Sequence, residues 1–339
     1  MRTKVPTTSW IVNATIALLP VLACFLAGAT EKWEEGVVIT VLGFCLLVRP
    51  PRFSLGAITN LVLFTLFILA AVALLPGHWF FQPGWRAAFV NNCAMQLPST
   101  LSPQPWITLG YLVSFAAGLS WLYVVSTQDL GLHEVRFQLR LFTSGIALLA
   151  AICIAFYLTR ITPSFWHNEQ NFGPFPNPNQ TGDLFALAAI VILACSQDDF
   201  RKRRKWWIAW ILALVLIAAA IVLNSSQSGI GIIVVGSAFW LSVLSFRKHS
   251  PLQLALGVFF LFLLLTSLLV FAGQTFQRFH LGDFGSTDIS SDLRWRIFHD
   301  TFRLIRDSPW SGIGFGNLAL GRSWVAGGGA HRPRDRAPC

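Results

Sequence analysis

"RKRRKWWIAWILALVLIAAAIVLN", residues 201–224, sets five consecutive cations beside nineteen residues that carry no charge. An uncharged apolar run of about 20 residues is the length a helix needs to cross a bilayer, and a helix satisfies its own backbone polar groups in lipid. A short basic run at the edge of such a span is the ordinary mark of a loop retained on the cytoplasmic side. The stretch therefore reads as a membrane helix with its topology signal attached, and the basic run is not taken as a nucleic-acid site.

The same pattern recurs along the chain. Of 339 residues, 54% are hydrophobic and 12% are charged, where soluble domains carry about 25% charge. Nine spans are expected, at 9–29, 34–48, 57–76, 106–126, 141–158, 181–196, 206–223, 229–246 and 252–272. The fold class is all-α: a polytopic membrane helix bundle with an amphipathic helix outside the cytoplasm. The second and sixth spans are short, and the first is read as a retained helix because no small-residue cleavage site follows it.

Placing every Lys and Arg tests the orientation. With the N-terminus inside, the inner loops hold Arg2, Lys4, Arg49, Arg52, Arg136, Arg140, Arg201, Lys202, Arg203, Arg204, Lys205, Arg247 and Lys248. The outer loops before the last span hold Lys32, Arg86 and Arg160. That asymmetry follows the positive-inside rule and argues for keeping the weak second span, which preserves the alternation. Nine further basic residues follow the ninth span, on the outer side by parity. The expected organisation is a bundle over 1–272, an extracytoplasmic loop with an Arg-rich helix over 273–317, and a tail of different composition over 318–339.

Cysteines 24, 45, 153 and 195 fall in or beside spans, where a thiol behaves as a small apolar side chain. Cys93 and Cys339 are placed outside, where a disulfide between them is chemically permitted. No metal-ligand spacing occurs among the cysteines and seven histidines, and no metal or other cofactor is expected. No Asp, Glu, Lys or Arg stands near the middle of a span, whereas ion-coupled transporters place ionisable groups there. The spans read as a scaffold with its chemistry on the outer face; a lipid or sugar transporter is the alternative from another class.

Three outer segments carry the candidate chemistry. Residues 77–105 are dense in Trp, Phe and Pro, as suits a segment lying on the membrane interface. Residues 159–183, "TRITPSFWHNEQNFGPFPNPNQTGD", collect Asn168, Asn171, Asn177 and Asn179 among prolines. Such residues are ordinary in turns, and equally suited to line a site for a hydroxyl-rich ligand. Residues 291–317, "SDLRWRIFHDTFRLIRDSPWSGIGFGN", predict a capped helix ended by Pro309. At about 100° per residue, Arg296, His299, Arg303 and Arg306 share one face; Phe298, Phe302 and Ile305 share the other, with Arg294 pointing into the apolar arc. A guanidinium directed at a packed face needs an anionic or hydrogen-bonded partner. A lipid-borne phosphate, gripped as a bidentate pair, and a structural salt bridge both meet that need. The "GIGFG" at 312–316 follows a helix and a proline, the wrong context for a nucleotide-binding glycine loop.

Two of these segments resemble the O-antigen ligase and polymerase family of bacterial envelope enzymes. Arg294 stands fifteen residues before Pro309 of a Pro-x-x-Gly-x-Gly-x-Gly-Asn run, carried by Gly312, Gly314, Gly316 and Asn317. "FGPFPNPNQTG" at 172–182 is similar to the family's Gly-x-Phe-x-Asn-x-Asn stretch, on Gly173, Phe175, Asn177 and Asn179. The resemblance implies a metal-independent, inverting glycosyltransferase in the bacterial inner membrane. It takes a glycan from undecaprenyl pyrophosphate and passes it to a hydroxyl of lipid A-core, of another glycan or of a protein. Arg294 would contact the pyrophosphate, helped by Arg296 and Arg303, and Asn177 and Asn179 would contact sugar or phosphate oxygens. Two departures stand out. Gln227, in "NSSQSGIG", occupies the place of an arginine in the family's Ser-Arg-x-Gly and is the substrate-binding candidate there. Beyond Asn317 the tail turns to Gly, Arg and Pro, as a truncated or frame-shifted end would; His331 is its candidate for the family's general base, and an inactive fragment is a further alternative.

Overall fold

The computed structural model describes residues 7–51, 54–80, 86, 96–128, 130–166, 172–224 and 226–246. Beyond these it describes 298–299, 301–303, 305–306, 312, 314, 316 and 317; side chains are not described at 7–9, 227, 238 and 241–246. Among the described residues eight α-helices are complete: α1 (Thr7–Phe25), α2 (Lys32–Val48), α3 (Ala57–Ala71), α4 (Pro105–Ser126), α5 (Leu132–Thr159), α6 (Pro178–Arg201), α7 (Trp207–Asn224) and α8 (Gln227–Phe246). No strand occurs among the described residues, so the expected all-α bundle is what the chain forms. Among the described residues four helical stretches, Ala57–Leu74, Pro105–Ser126, Leu132–Thr159 and Trp207–Asn224, are long and apolar enough to cross a membrane. Trp10–Phe25 and Ser228–Ser237 are shorter apolar helical stretches.

Eight of the nine expected spans fall on helices, and the ninth, 252–272, lies outside the described residues. The boundaries differ for physical reasons. Helix α1 stops four residues before the expected 29 because Ala27, Gly28 and Ala29 all adopt positive φ, which ends a right-handed helix. Helices α5 and α6 run past their expected spans into polar sequence, where hydropathy falls but backbone hydrogen bonding continues. Start signals are local. Glu134 accepts the Gly131 N–H at 2.9 Å, Glu34 accepts the Glu31 N–H at 3.0 Å, and Pro105 opens α4.

The helices divide into two compact units, residues 1–50 with 129–282 and residues 51–128 with 283–339. In the first, α6 is central and packs on α5, α7 and α8, while α1 packs on α2 and α5. The small side chains Ala186, Ala188 and Ala189 are buried on α6 beside Phe185 and Ile192, against Ile146, Ile217 and Ile233. Close approach of this kind is how helices gain dispersion energy in lipid, where the hydrophobic effect between them is absent. In the second unit α3 packs on α4 and buries no residue of its own. Its Ile58, Leu61 and Phe64 are more than half exposed, an apolar surface suited to lipid. Arg86 ties the loop ahead of α4 together, donating to the carbonyls of Pro98, Thr100 and Leu101 at 2.7, 2.8 and 2.7 Å.

Candidate functional site

The amide-rich segment before α6 and the polar stretch between α7 and α8 come together. Asn177 is the N-cap of α6, its Oδ1 accepting the Asn179 N–H at 3.0 Å. Pro178, first in the helix, has no N–H to leave unsatisfied. Asn224, at the end of α7, donates from Nδ2 to the Pro178 carbonyl at 2.7 Å. Ser226 lies between: its hydroxyl donates to Asn179 Oδ1 at 3.2 Å and accepts the Gly229 N–H at 3.2 Å, capping α8. Glycine makes the approach possible. A Cβ on Gly229 would stand 2.7 Å from the Gly182 carbonyl, and one on Gly182 would stand 2.3 Å from Ser226 Cβ.

Asn177 and Asn179 are exposed at this corner, and each uses its Oδ1 within the protein. Beneath them three buried oxygens, Thr181 Oγ1, Asp183 Oδ1 and Asn224 Oδ1, have no hydrogen-bond partner among the described residues. The Pro178 carbonyl fixes which way the Asn224 amide faces, so its unpartnered atom is the acceptor. The result is an amide- and hydroxyl-rich corner at the start of a helix, and its open acceptors fit the hydroxyl groups of a ligand. Gln227 is the first residue of α8; its side chain is outside the described residues.

The opposite end of α6 is charged. Arg140 on α5 contacts Asp198 at 3.1 Å and Asp199 at 2.5 Å. Arg136 and Lys202 reach Asp198 at 3.5 and 2.7 Å, and the Trp210 indole N–H donates to Asp199 at 2.9 Å. Asp199 is 1% exposed. Arg136, Arg140, Lys202 and Arg204, four of the basic residues expected on one side of the membrane, gather at this end of α5 and α6.

In the second unit Gly314, Gly316 and Asn317 form a turn seated on the start of α4. Gly312, Gly314 and Gly316 have φ of 60°, 83° and 77°, which glycine adopts without steric cost. A Cβ on Gly316 would lie 2.4 Å from the Tyr111 ring, and one on Gly314 would lie 2.9 Å from Thr108 Oγ1. Asn317 is buried, donating from Nδ2 to Thr108 Oγ1 at 3.0 Å, Ser102 Oγ at 3.1 Å and the Gly314 carbonyl at 3.3 Å. Arg303 is exposed on a helical segment, as expected. Phe298, Phe302 and Ile305, expected on a packed face, are 61, 70 and 55% exposed, so this apolar arc is open. Arg294, Arg296 and His331 lie outside the described residues.

Sequence reasoning had found the Asn-rich loop and the glycine run but not their partners. The signal that could have found Asn224 is an amide closing an eighteen-residue apolar helix. Ser102 falls in the aromatic interface segment and Thr108 in the first turn of α4, where no sequence pattern singles them out.

Residues 212–334 match the family model described as O-antigen ligase. The match covers most of α7, all of α8, the glycine run and part of the tail, and it bears out the resemblance read from the motifs. No curated protein and no solved structure matches the chain.

Proposed function

We propose, with the likeness of residues 212–334 to the O-antigen ligase family as premise, that this membrane protein transfers a glycan from undecaprenyl pyrophosphate to an acceptor hydroxyl. The acceptor is lipid A-core or the end of another glycan, and the reaction takes place at the outer face of the inner membrane, with the N-terminus cytoplasmic. The acceptor oxygen attacks the anomeric carbon from the side opposite the carrier. The bond from that carbon to the pyrophosphate oxygen breaks, the leaving group keeps the electron pair, and the configuration inverts. The acceptor's proton passes to a base, with His331 in that role.

Charge grows on the leaving pyrophosphate as the bond breaks, so fixed donors aimed there lower the barrier. Arg294 is assigned that contact, with Arg296 and Arg303 on the same helix; guanidinium grips phosphate with two parallel hydrogen bonds. Asn177, Asn179 and Gln227 hold sugar and phosphate oxygens. The family match carries the reading, and the corner built by Asn177, Asn179, Asn224 and Ser226 supports it with uncharged donors and acceptors suited to a glycan.

The test uses purified full-length protein in liposomes with radiolabelled undecaprenyl-pyrophosphate glycan and lipid A-core. Label is expected on the lipid A-core, or in longer carrier-linked chains if the acceptor is another glycan. Arg294→Lys keeps the charge and loses the bidentate grip, so transfer falls at unchanged protein level. Normal transfer by that variant removes Arg294 from the site. No transfer by the wild-type protein to either acceptor overturns the function.

A further inference from the structure

We infer that Gly314, Gly316 and Asn317 form a docking turn latched onto the start of α4, and that Ser102 and Thr108 are positioning residues for the transfer reaction. The inference rests on the function proposed above.

The latch is a buried amide facing two buried hydroxyls. Asn317 is 1% exposed, and Ser102 and Thr108 are fully buried. The two hydroxyls bond each other at 2.7 Å, and Ser102 Oγ also accepts the Gln104 N–H at 3.2 Å, one residue before α4 begins. The Asn317 amide has two protons for three acceptors within 3.3 Å, so one proton is shared. The contacts join residues 215 and 209 apart in sequence. Burying so many polar atoms is tolerated only when they satisfy one another.

The glycines make the seating possible. Side chains at 314 and 316 would run into Thr108, Ser102, Tyr111 and Ile107. Those residues fill the space that a phosphate-cradling loop would leave open. Meanwhile the Asn317 N–H turns inward to the Gly314 carbonyl at 3.4 Å. At Gly314 and Gly316 the run is thus seated on protein. Arg303 and Arg306 precede Gly312 by nine and six residues, so anchoring the turn fixes the chain at the C-terminal end of the arginine-bearing segment. Groups that stabilise a transition state lose effect when displaced by about 1 Å, and a latch at that point guards against such displacement.

The experiment compares Thr108→Val, which keeps the shape and removes the hydroxyl, with Thr108→Ser, which keeps the hydroxyl. Asn317→Leu and the Thr108→Val/Asn317→Leu double variant complete the cycle. Turnover is measured in the liposome assay per folded molecule, counted by size-exclusion chromatography. Thr108→Val and Asn317→Leu are each expected to lower kcat about tenfold or more with KM for the lipid-linked glycan little changed. The double variant should be no worse than Asn317→Leu alone, and Thr108→Ser should be near wild type. Hydrogen exchange of the peptide containing 312–317 gives a readout independent of turnover. Protection is expected in the wild type and in Thr108→Ser, and faster exchange in Thr108→Val. An unprotected wild-type peptide overturns the latch even if the enzyme is active. Faster exchange with normal kcat overturns the positioning role, and absence of wild-type transfer alongside a protected peptide overturns the proposed function while the latch stands.

Discussion

At the C-terminal end of α6, Asp198 and Asp199 have all four carboxylate oxygens engaged by Arg136, Arg140, Lys202, Arg204 and Trp210. At the N-terminal end, about 36 Å away for 24 residues, the groups are mostly uncharged amides and hydroxyls. There Thr181, Asp183 and Asn224 each keep a buried oxygen that no described residue satisfies. An unsatisfied buried polar atom costs about 1–3 kcal/mol. One end of the helix has thus been closed for stability, and the other retains polar atoms at a cost to stability. Functional corners characteristically carry that kind of cost.

The largest expected effect comes from opening the closed end. Arg140→Leu strips Asp199 of its close ion pair at 2.5 Å and leaves a nearly inaccessible carboxylate facing one indole N–H and Arg204 at 3.8 Å. Removing one partner of a buried pair costs about 3–5 kcal/mol. Thermal unfolding in detergent should show a large fall in Tm, with turnover per folded molecule unchanged. The double replacement Arg140→Leu/Asp199→Leu should recover much of the loss, because no uncompensated charge remains. A fall in turnover per folded molecule that matched the Tm loss would show that the two ends are not separate in role.

The reverse pattern is expected at the open end. Thr181→Val keeps the branched shape, including the methyl group packed near Gly173, and removes a hydroxyl that is fully buried and has no partner among the described residues. Stability should hold or rise by up to about 1 kcal/mol, while glycan transfer falls. Unchanged transfer would make Thr181 a cost without a purpose and blur the contrast between the ends.

How much of this could be read in advance follows from range. Helix α7 was legible because its signal is local and unbroken, from Trp207 to Asn224. The terminal turns of α5 and α6 were not, since polar residues there still extend the helix beyond what hydropathy marks. The basic run 201–205 was seen as a topology signal; the two aspartates just before it, which bind Arg140 across 58 and 59 residues, were not. The Asn177 and Asn179 pattern stood out locally, whereas Asn224 and Ser226 gain meaning only after α7 folds back to the start of α6. The glycine run was the clearest motif of all, yet its partners Ser102 and Thr108 lie two hundred residues away and have no pattern that names them.

The smallest effect expected is a pH dependence confined to the closed end. Asp198 lies beyond the apolar part of α6. Burial alone would raise its carboxyl, but the hydrogen bond from Lys202 and the charges of Lys202, Arg136 and Arg140 outweigh burial and hold it below the ordinary carboxylate value. A group whose folded value is depressed contributes stability above its unfolded value, roughly 3.9 for Asp, and loses that contribution as pH falls through the folded value. Tm should therefore decline as pH drops below about 4, with part of the decline absent in Asp198→Asn. The side chain is 25% exposed, so solvent screening keeps the difference near or under about 1 kcal/mol, and added salt should shrink it further. A decline that Asp198→Asn leaves intact would mean that acid acts on other carboxylates, and the closed end would then owe its stability to the Arg140–Asp199 contact alone.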